Sequence, residues 1–499
     1  MSSAEGMGRR IARGATWMIG MRMAIRGLGV ISTIILARLL TPADFGLVAM
    51  AMAVGAALEA VLEPNFAGAL LSDPSRDRSL YNAAWSWSIL KGVLVGFLLV
   101  LAAPWIADYF RDKRIVSLVY VFAGMSAVSG FQNISTIDFV KDLQLHKSFV
   151  MGFGAKILSF AATITAAVIA RDYWALIIGM FVQRAATIAL SFMLSDYRPR
   201  FNFKGSVGLL SFSAWQMISN IVGAAVSQLD ALMMGRLASA RALGIYEVAL
   251  EVSALPATEI VTPARQALIG GMVNWLDDRK KFAANYTESL AIMLSVCLPL
   301  SAGLAMVSEP VVRVVLGEQW LEAAPLITIL VFSGLVRMFS ENASTALVVL
   351  RQPRINTVTL AITSFFYVFF LYYGITRYGI LGAAVARAAT SAINLMLNSI
   401  ILRRYLDTSL GLAFRLSYRT LVATAVMVAV LLGLGMGQPG AYGLPAIQGL
   451  LLAVATGMLV FAVVHGIFWA ILGRGNGVEG RILRLAASFA GLTGRQAPS

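Results

Sequence analysis

The chain has 499 residues, 59% of them hydrophobic and only 13% charged, with 40 Lys and Arg against 25 Asp and Glu and a formal net charge of +15. Its apolar residues cluster in runs of about 20, the length a helix needs to cross a bilayer, which excludes a soluble globular protein; the alternating ten-residue segments of an outer-membrane barrel are absent. The basic residues sit mostly in alternate short loops rather than on one polar domain, which argues against a nucleic-acid binder.

Taken in chain order, the first apolar run follows Arg9, Arg10 and Arg13 and extends over 15–36, too long for a signal-peptide core, so the first helix is expected to stay in the protein. Five more spans are predicted at 47–71, 83–107, 115–136, 148–170 and 174–194. A second set follows at 207–234, 245–269, 287–308, 323–349, 355–375 and 380–402, and a last pair at 420–437 and 446–472. The reading is an all-α polytopic membrane protein of about fourteen transmembrane helices. Loops carry turn chemistry, as at Thr41-Pro42, Asp73-Pro74-Ser75 and Gln438-Pro439-Gly440. Lys and Arg concentrate in the loops on the side of the N-terminus, so both termini are expected to be cytoplasmic. Trp17, Trp85, Trp87, Trp105, Trp174 and Trp469 fall near span ends, as interfacial anchors do.

Two internal matches share nearly one offset. Gly179, Val182, Arg184, Ala185, Ala186 and Thr187 recur as Gly382, Val385, Arg387, Ala388, Ala389 and Thr390, and Arg38-Leu39 with Gly46 recurs as Arg236-Leu237 with Gly244. They fall on equivalent helices of two six-helix lobes. The predicted organisation is an N-terminal lobe at 1–206, a C-terminal lobe at 207–404 related to it by a parallel repeat, an added helix pair at 405–473 and a basic cytoplasmic tail at 474–499.

Ala37-Arg38-Leu39-Leu40-Thr41-Pro42-Ala43-Asp44-Phe45-Gly46 closely resembles the first outer loop of bacterial polysaccharide-export flippases of the Wzx type. Leu316-Gly317-Glu318-Gln319-Trp320 with Ala323-Ala324-Pro325 resembles another of their recurring segments. That family belongs to the superfamily of multidrug and oligosaccharidyl-lipid exporters. The resemblance implies two bundles around a central cavity that opens alternately to each face. The implied cargo is an undecaprenyl-pyrophosphate-linked oligosaccharide, moved from cytoplasmic to periplasmic leaflet for exopolysaccharide, capsule or lipopolysaccharide synthesis. Neither segment is read as catalytic; the first reads as a tight turn with Pro42 and Gly46 fixing the backbone.

Ionisable residues inside the spans are the candidate site. Each costs roughly 2.5–3.5 kcal/mol at a helix centre, so most must face one another or water. Arg22 and Arg26 share one face of the first helix, and Glu63 and Glu59 lie at matching depths on the second. They read either as a ladder of buried ion pairs or, with Lys91, Arg265 and Arg337, as a cationic lining whose guanidinium forks hold the pyrophosphate. Glu247, Glu251 and Glu259 fall on one stripe of the eighth helix. Glu247 reads as the solvated outer end of that stripe; Glu251 and Glu259, with Glu59, Glu63, Asp230 and Glu341, are candidates for gating or for binding a coupling ion, Na⁺ or H⁺. Pro64, Pro256 and Pro263 are candidate hinges.

Cys297 stands alone, and His146 and His465 cannot build a His-rich metal site. No metal or other cofactor is expected, and no nucleotide-binding Gly loop is present. Expected partners are the lipid-linked oligosaccharide, membrane lipids, and the polysaccharide polymerase and chain-length proteins of such a pathway. A cation-coupled multidrug extruder is the rival within transport. A membrane glycan ligase is the rival among enzymes, disfavoured by the absence of a large outer loop.

Overall fold

A computed structural model describes residues 20, 23–62, 66–72, 76–142, 144–203, 223, 226–273, 278–350, 352–406, 410–437 and 444–471. Among them there is no β-strand. Among the described residues eight helices are long and apolar enough to cross a membrane, and the shorter Arg114–Ser129 and Tyr418–Gly433 are apolar too. By its contacts the chain divides into two compact units, Met1–Glu247 and Val248–Ser499.

In the first unit the order is α1 (23–39), α2 (Pro42–Val61), α3 (Phe66–Ser72), α4 (Arg78–Phe110) and α5 (Arg114–Ser129). Then come α6 (Thr136–Lys141), α7 (Leu145–Ala170), α8 (Trp174–Met193), α9 (226–237) and the start of α10 (Ala240–Val273). The Thr41-Pro42 corner starts α2 five residues earlier than the hydropathy run suggests. Thr41 caps the helix, Pro42 fills its first position where no N–H is needed, and Asp44 reaches back to the Thr41 backbone N–H at 2.8 Å. The expected single span at 47–71 is two helices, α2 and α3, and Glu63 and Pro64 between them lie outside the described residues.

Close helix packing in this unit rests on glycine. Gly92 and Gly96 lie one turn apart on α4, and a Cβ on either would come to 2.6 Å from a carbonyl oxygen of α5, Ser126 or Ala123. The missing side chains let α4 and α5 meet backbone to backbone, as small residues do between helices in lipid.

The second unit holds the rest of α10, α11 (Arg279–Met306), α12 (Ser308–Val311), α13 (Ala323–Val349), α14 (Pro353–Leu406), α15 (Leu410–Leu416), α16 (Tyr418–Gly433) and α17 (Ala446–Ile471). Pro256 and Pro263 lie within α10, which is assigned as one helix over both. The two spans expected at 355–375 and 380–402 are joined by a single non-helical residue, Gly379, at φ 59° and ψ −139°. Gly374 and Gly382 lie either side of that corner, and a Cβ on either would overlap the other's carbonyl.

The Leu316–Trp320 segment is structural. A π-helical turn, Val312–Leu316, ends at Gly317, whose φ of 111° and ψ of 168° suit only glycine, and the fully buried Trp320 plugs the turn. Arg313 bridges Glu309 at 3.3 Å and Glu318 at 3.0 Å across it.

Candidate functional site

The first unit keeps its intramembrane acid beside a buried hydroxyl. Glu59, near the end of α2, is half-buried, and its Oε1 accepts a 2.6 Å hydrogen bond from Ser126 Oγ on α5. Ser126 reaches it from the glycine seam that lets α5 pack closely on α4. Arg26 on α1 is half-buried, as is Lys91, one residue before Gly92 in the seam. Arg22 and Glu63, the other rungs of the expected ladder, lie outside the described residues.

Asp230 on α9 is 3% exposed and accepts a long 3.5 Å hydrogen bond from the hydroxyl of Tyr246 on α10, itself fully buried. In the same unit the corner Arg38–Gly46 and the corner Arg236–Gly244 take the same form. Leu40 N–H bonds Leu36 C=O and Ala238 N–H bonds Met234 C=O, each at 2.8 Å. Thr41 Oγ1 and Ser239 Oγ then accept from the backbone N–H three residues on, at 3.4 and 3.2 Å. The corners also meet: a Cβ on Gly46 would overlap the Ala240 carbonyl, and one on Gly244 the Pro42 carbonyl. Gly46 therefore does not shape the turn; it sits in the second turn of α2 and lets α10 approach.

In the second unit, Arg337 and Glu341 pair with each other on α13, at 2.8 Å and one turn apart, with Arg337 62% exposed. Arg387 donates to the Tyr367 hydroxyl at 3.3 Å and lies 5.9 Å from that ring's centre. A seam of neutral polar groups runs between the two helices: Ser340 Oγ donates to Asn394 Oδ1 at 2.8 Å, and Asn398 Nδ2 to the Asn394 backbone at 3.0 Å. Beside it a small cavity is lined by Tyr286, Phe339, Asn398 and Ser399 among others. Glu251 is exposed on α10; Glu259, Pro263 and Arg265 lie further along it, their side chains outside the described set. Among the described residues no three His, Cys, Asp or Glu side chains group as metal ligands would.

Sequence reasoning found the charged members of these sites and missed the neutral ones: Ser126 and Tyr246, which bond Glu59 and Asp230, and Ser340, Asn394 and Asn398, which bond one another. Only the four-residue spacing of Asn394 and Asn398 inside an apolar run could have marked the last pair.

Among the described residues the architecture is all-helical, with helices of membrane-spanning length. Over residues 35–325 the chain matches the family described as polysaccharide biosynthesis protein, and it belongs to that family. The teichuronic acid biosynthesis protein TuaB of Bacillus subtilis is 23% identical over 91% of this chain and 94% of its own. The lipopolysaccharide biosynthesis protein WzxC of Escherichia coli is 24% identical over 84% of this chain and 88% of its own. Among solved structures, the lipid II flippase MurJ in an inward closed conformation superimposes with a TM-score of 0.71 at 14% identity, over 93% of this chain and 99% of that one. An inward-facing multidrug-resistance transporter of the MATE family superimposes at 0.56 and 14% identity, over 80% of this chain and 99% of that one. These likenesses show that the chain shares the fold of both transporters.

Proposed function

We propose that this protein flips an undecaprenyl-pyrophosphate-linked oligosaccharide from the cytoplasmic to the periplasmic leaflet by alternating access. The end-to-end match to TuaB and WzxC on a MurJ-like fold carries the reading. The proposal includes about fourteen spanning helices in two repeated lobes plus a pair, both termini cytoplasmic, and a pathway that supplies polymerase and chain-length partners. The matched corners at Gly46 and Gly244 support the repeat.

Chemically, the cargo carries a diphosphate that must leave one headgroup layer and reach the other. Arg22 and Arg26 supply permanently charged, paired donors for it, and Glu59 and Glu63 keep them company when it is gone. Coupling to Na⁺ or H⁺ through carboxylates of α10, Glu251 and Glu259, is part of the same proposal.

The test is a flipping assay in proteoliposomes. A lipid-linked oligosaccharide is placed in one leaflet and followed with an impermeant sugar-cleaving enzyme, with and without Na⁺ and pH gradients. The wild type is expected to transport, and Arg22→Ala/Arg26→Ala to lose roughly tenfold or more while still folded, for the loss of charge-assisted contacts of about 1.5–3 kcal/mol. Transport surviving the double substitution would make the arginines structural. Efflux of cationic dyes with no glycan transport would turn the reading to a multidrug extruder.

A further inference from the structure

In the first unit an extended strap, residues 195–203, is laid along the first turns of α4. Its attachment is specific. The Tyr197 hydroxyl donates to Asn82 Oδ1 at 2.8 Å and lies 3.3 Å from the Arg78 carbonyl. Arg200 N–H bonds the same Asn82 oxygen at 2.7 Å, and Asn202 N–H bonds Ser86 Oγ at 2.9 Å. Phe201 leans on Trp85 with ring centres 5.0 Å apart, and Phe203 meets Trp87 edge-on at 5.6 Å.

The charges of this region are unevenly committed. Arg76 pairs with Asp142, Arg198 donates to the Ser195 and Tyr197 carbonyls, Lys141 lies over the Tyr81 ring and Tyr81 donates to Asp138. Asp77 caps the Ser79 N–H. Arg78 and Arg200 are both exposed, and among the described residues neither guanidinium is bonded. Their backbones are fixed to one node, Asn82 with Tyr197. Directly beside them the strap turns apolar rings outward, Phe201 66% and Phe203 49% exposed.

Depth completes the picture. α4 has 33 residues, about 50 Å at 1.5 Å per residue, against a hydrocarbon core of about 30 Å. About 20 Å of it must therefore stand outside that core. Its first turns, with Arg78 and the Arg200 backbone beside them, can reach the headgroup layer, and Phe201 and Phe203 meet Trp85 and Trp87 further along the helix, toward the core.

We propose that Arg78 and Arg200, held by the Asn82–Tyr197 node and flanked by Phe201 and Phe203, form a binding site for the phosphodiester headgroup of an acidic phospholipid. The two guanidiniums take the phosphate oxygens, and the rings pack on the glycerol and upper acyl chain. The site is separate from the cargo path and does not depend on which cargo the protein moves.

The experiment titrates the purified full chain in detergent with phosphatidylglycerol and with phosphatidylcholine of the same chains, reading bound lipid by native mass spectrometry. Wild type is expected to hold phosphatidylglycerol more tightly. Arg78→Gln/Arg200→Gln should weaken that binding about 30-fold and leave phosphatidylcholine unchanged, at roughly a fivefold effect per basic residue beside acidic lipid. Tyr197→Phe keeps both charges but loosens the node, and should weaken the same binding by a smaller factor. The exposed pair Arg403 and Arg404 at the end of α14 is the control; its double Gln variant should bind as wild type does. Unchanged phosphatidylglycerol binding in Arg78→Gln/Arg200→Gln, or an equal loss in the control, overturns the proposal. Displacement of phosphatidylglycerol by undecaprenyl pyrophosphate at lower concentration also overturns it, by assigning the arginines to the cargo.

Discussion

Two junctions hold the first unit together by opposite means. At the glycine corner, α2 and α10 touch through bare backbone, Gly46 against Ala240 and Gly244 against Pro42. At the clamp around Asn133, contact is made almost wholly by side chains. Asn133 is fully buried; its Oδ1 takes the N–H and the hydroxyl of Ser135 at 3.1 and 2.8 Å, and its Nδ2 holds the Tyr197 carbonyl at 2.8 Å. Ser135 in turn bonds Ser195 at 2.6 Å, and Ser191 Oγ accepts from the Asn133 N–H at 3.0 Å. The difference teaches where each junction is brittle. A backbone contact has no spare atom to rotate away, so one methyl group breaks it. A network spreads its energy over several bonds, and fails only when the hub is removed.

The comparison is broken most directly at Gly46. Gly46→Ala puts a Cβ onto a carbonyl that cannot move without its helix, and should cost about 3 kcal/mol, the upper part of the overpacking range. Thermal unfolding of the detergent-solubilised protein measures it. Gly55→Ala on the same helix has open space for its Cβ and should instead stabilise by up to about 1 kcal/mol through helix propensity. Equal effects at the two positions would refute the contact. Next in size, Asn133→Ala strands the Ser135 N–H and the Tyr197 carbonyl and should cost about 2 kcal/mol, and Ser135→Ala about half that. A smaller cost for Asn133 than for Ser135 would mean it is no hub. The matched caps then separate the two corners from each other. Thr41 has a reciprocal box with Asp44, whereas Ser239 shows one 3.2 Å bond. Thr41→Ala should cost about 1 kcal/mol and Ser239→Ala about 0.5.

How much of this could be read from residues alone follows from the range of each interaction. Membrane helices announce themselves because hydropathy is a property of one window of chain. The Thr41-Pro42-Ala-Asp44 cap is equally local. Gly46 gave a misleading local signal, a glycine just after a turn, because its reason lies in Ala240 and Gly244, far along the chain. Gly317 and Trp320 belong to a recurring segment for which the sequence offers no physical reason; the π-turn supplies one, a glycine-only conformation and a buried tryptophan. For the charges, costs in lipid identified Glu59, Asp230, Arg337 and Glu341 as needing company; matching depth offered Glu59 the arginines of the first helix, and nothing marked partners for the others. Glu341 proved to pair within its own helix, whereas Glu59 found a serine on α5 and Asp230 a tyrosine on α10. Neutral hydroxyls and amides inside apolar runs carry little expense of their own, so nothing in a sequence window marks them as partners.

The weakest expected effect lies in the turn between α4 and α5, outside the spans, where a carboxylate is tied to its own neighbour. Arg114 gives Asp112 its backbone N–H at 2.9 Å and its guanidinium at 2.7 Å. These bonds, the side-chain ones foremost, hold the Asp112 carboxyl below the usual carboxylate range, against a smaller upward push from partial burial. A depressed folded-state value means the contribution is complete above the unfolded carboxylate's value, near 3.9, and is lost as pH falls through the folded one. Because the Arg114 side chain is 54% exposed, solvent screening limits the contribution to about 0.5 kcal/mol or less. Asp112→Asn should therefore fall slightly short of wild type in stability near neutrality, approach it as pH falls through the folded-state value, and lose the shortfall in high salt. A shortfall that persists in high salt would place the energy in the turn's backbone hydrogen bonds. The α4–α5 hairpin would then be held, like the glycine corner, by geometry rather than charge.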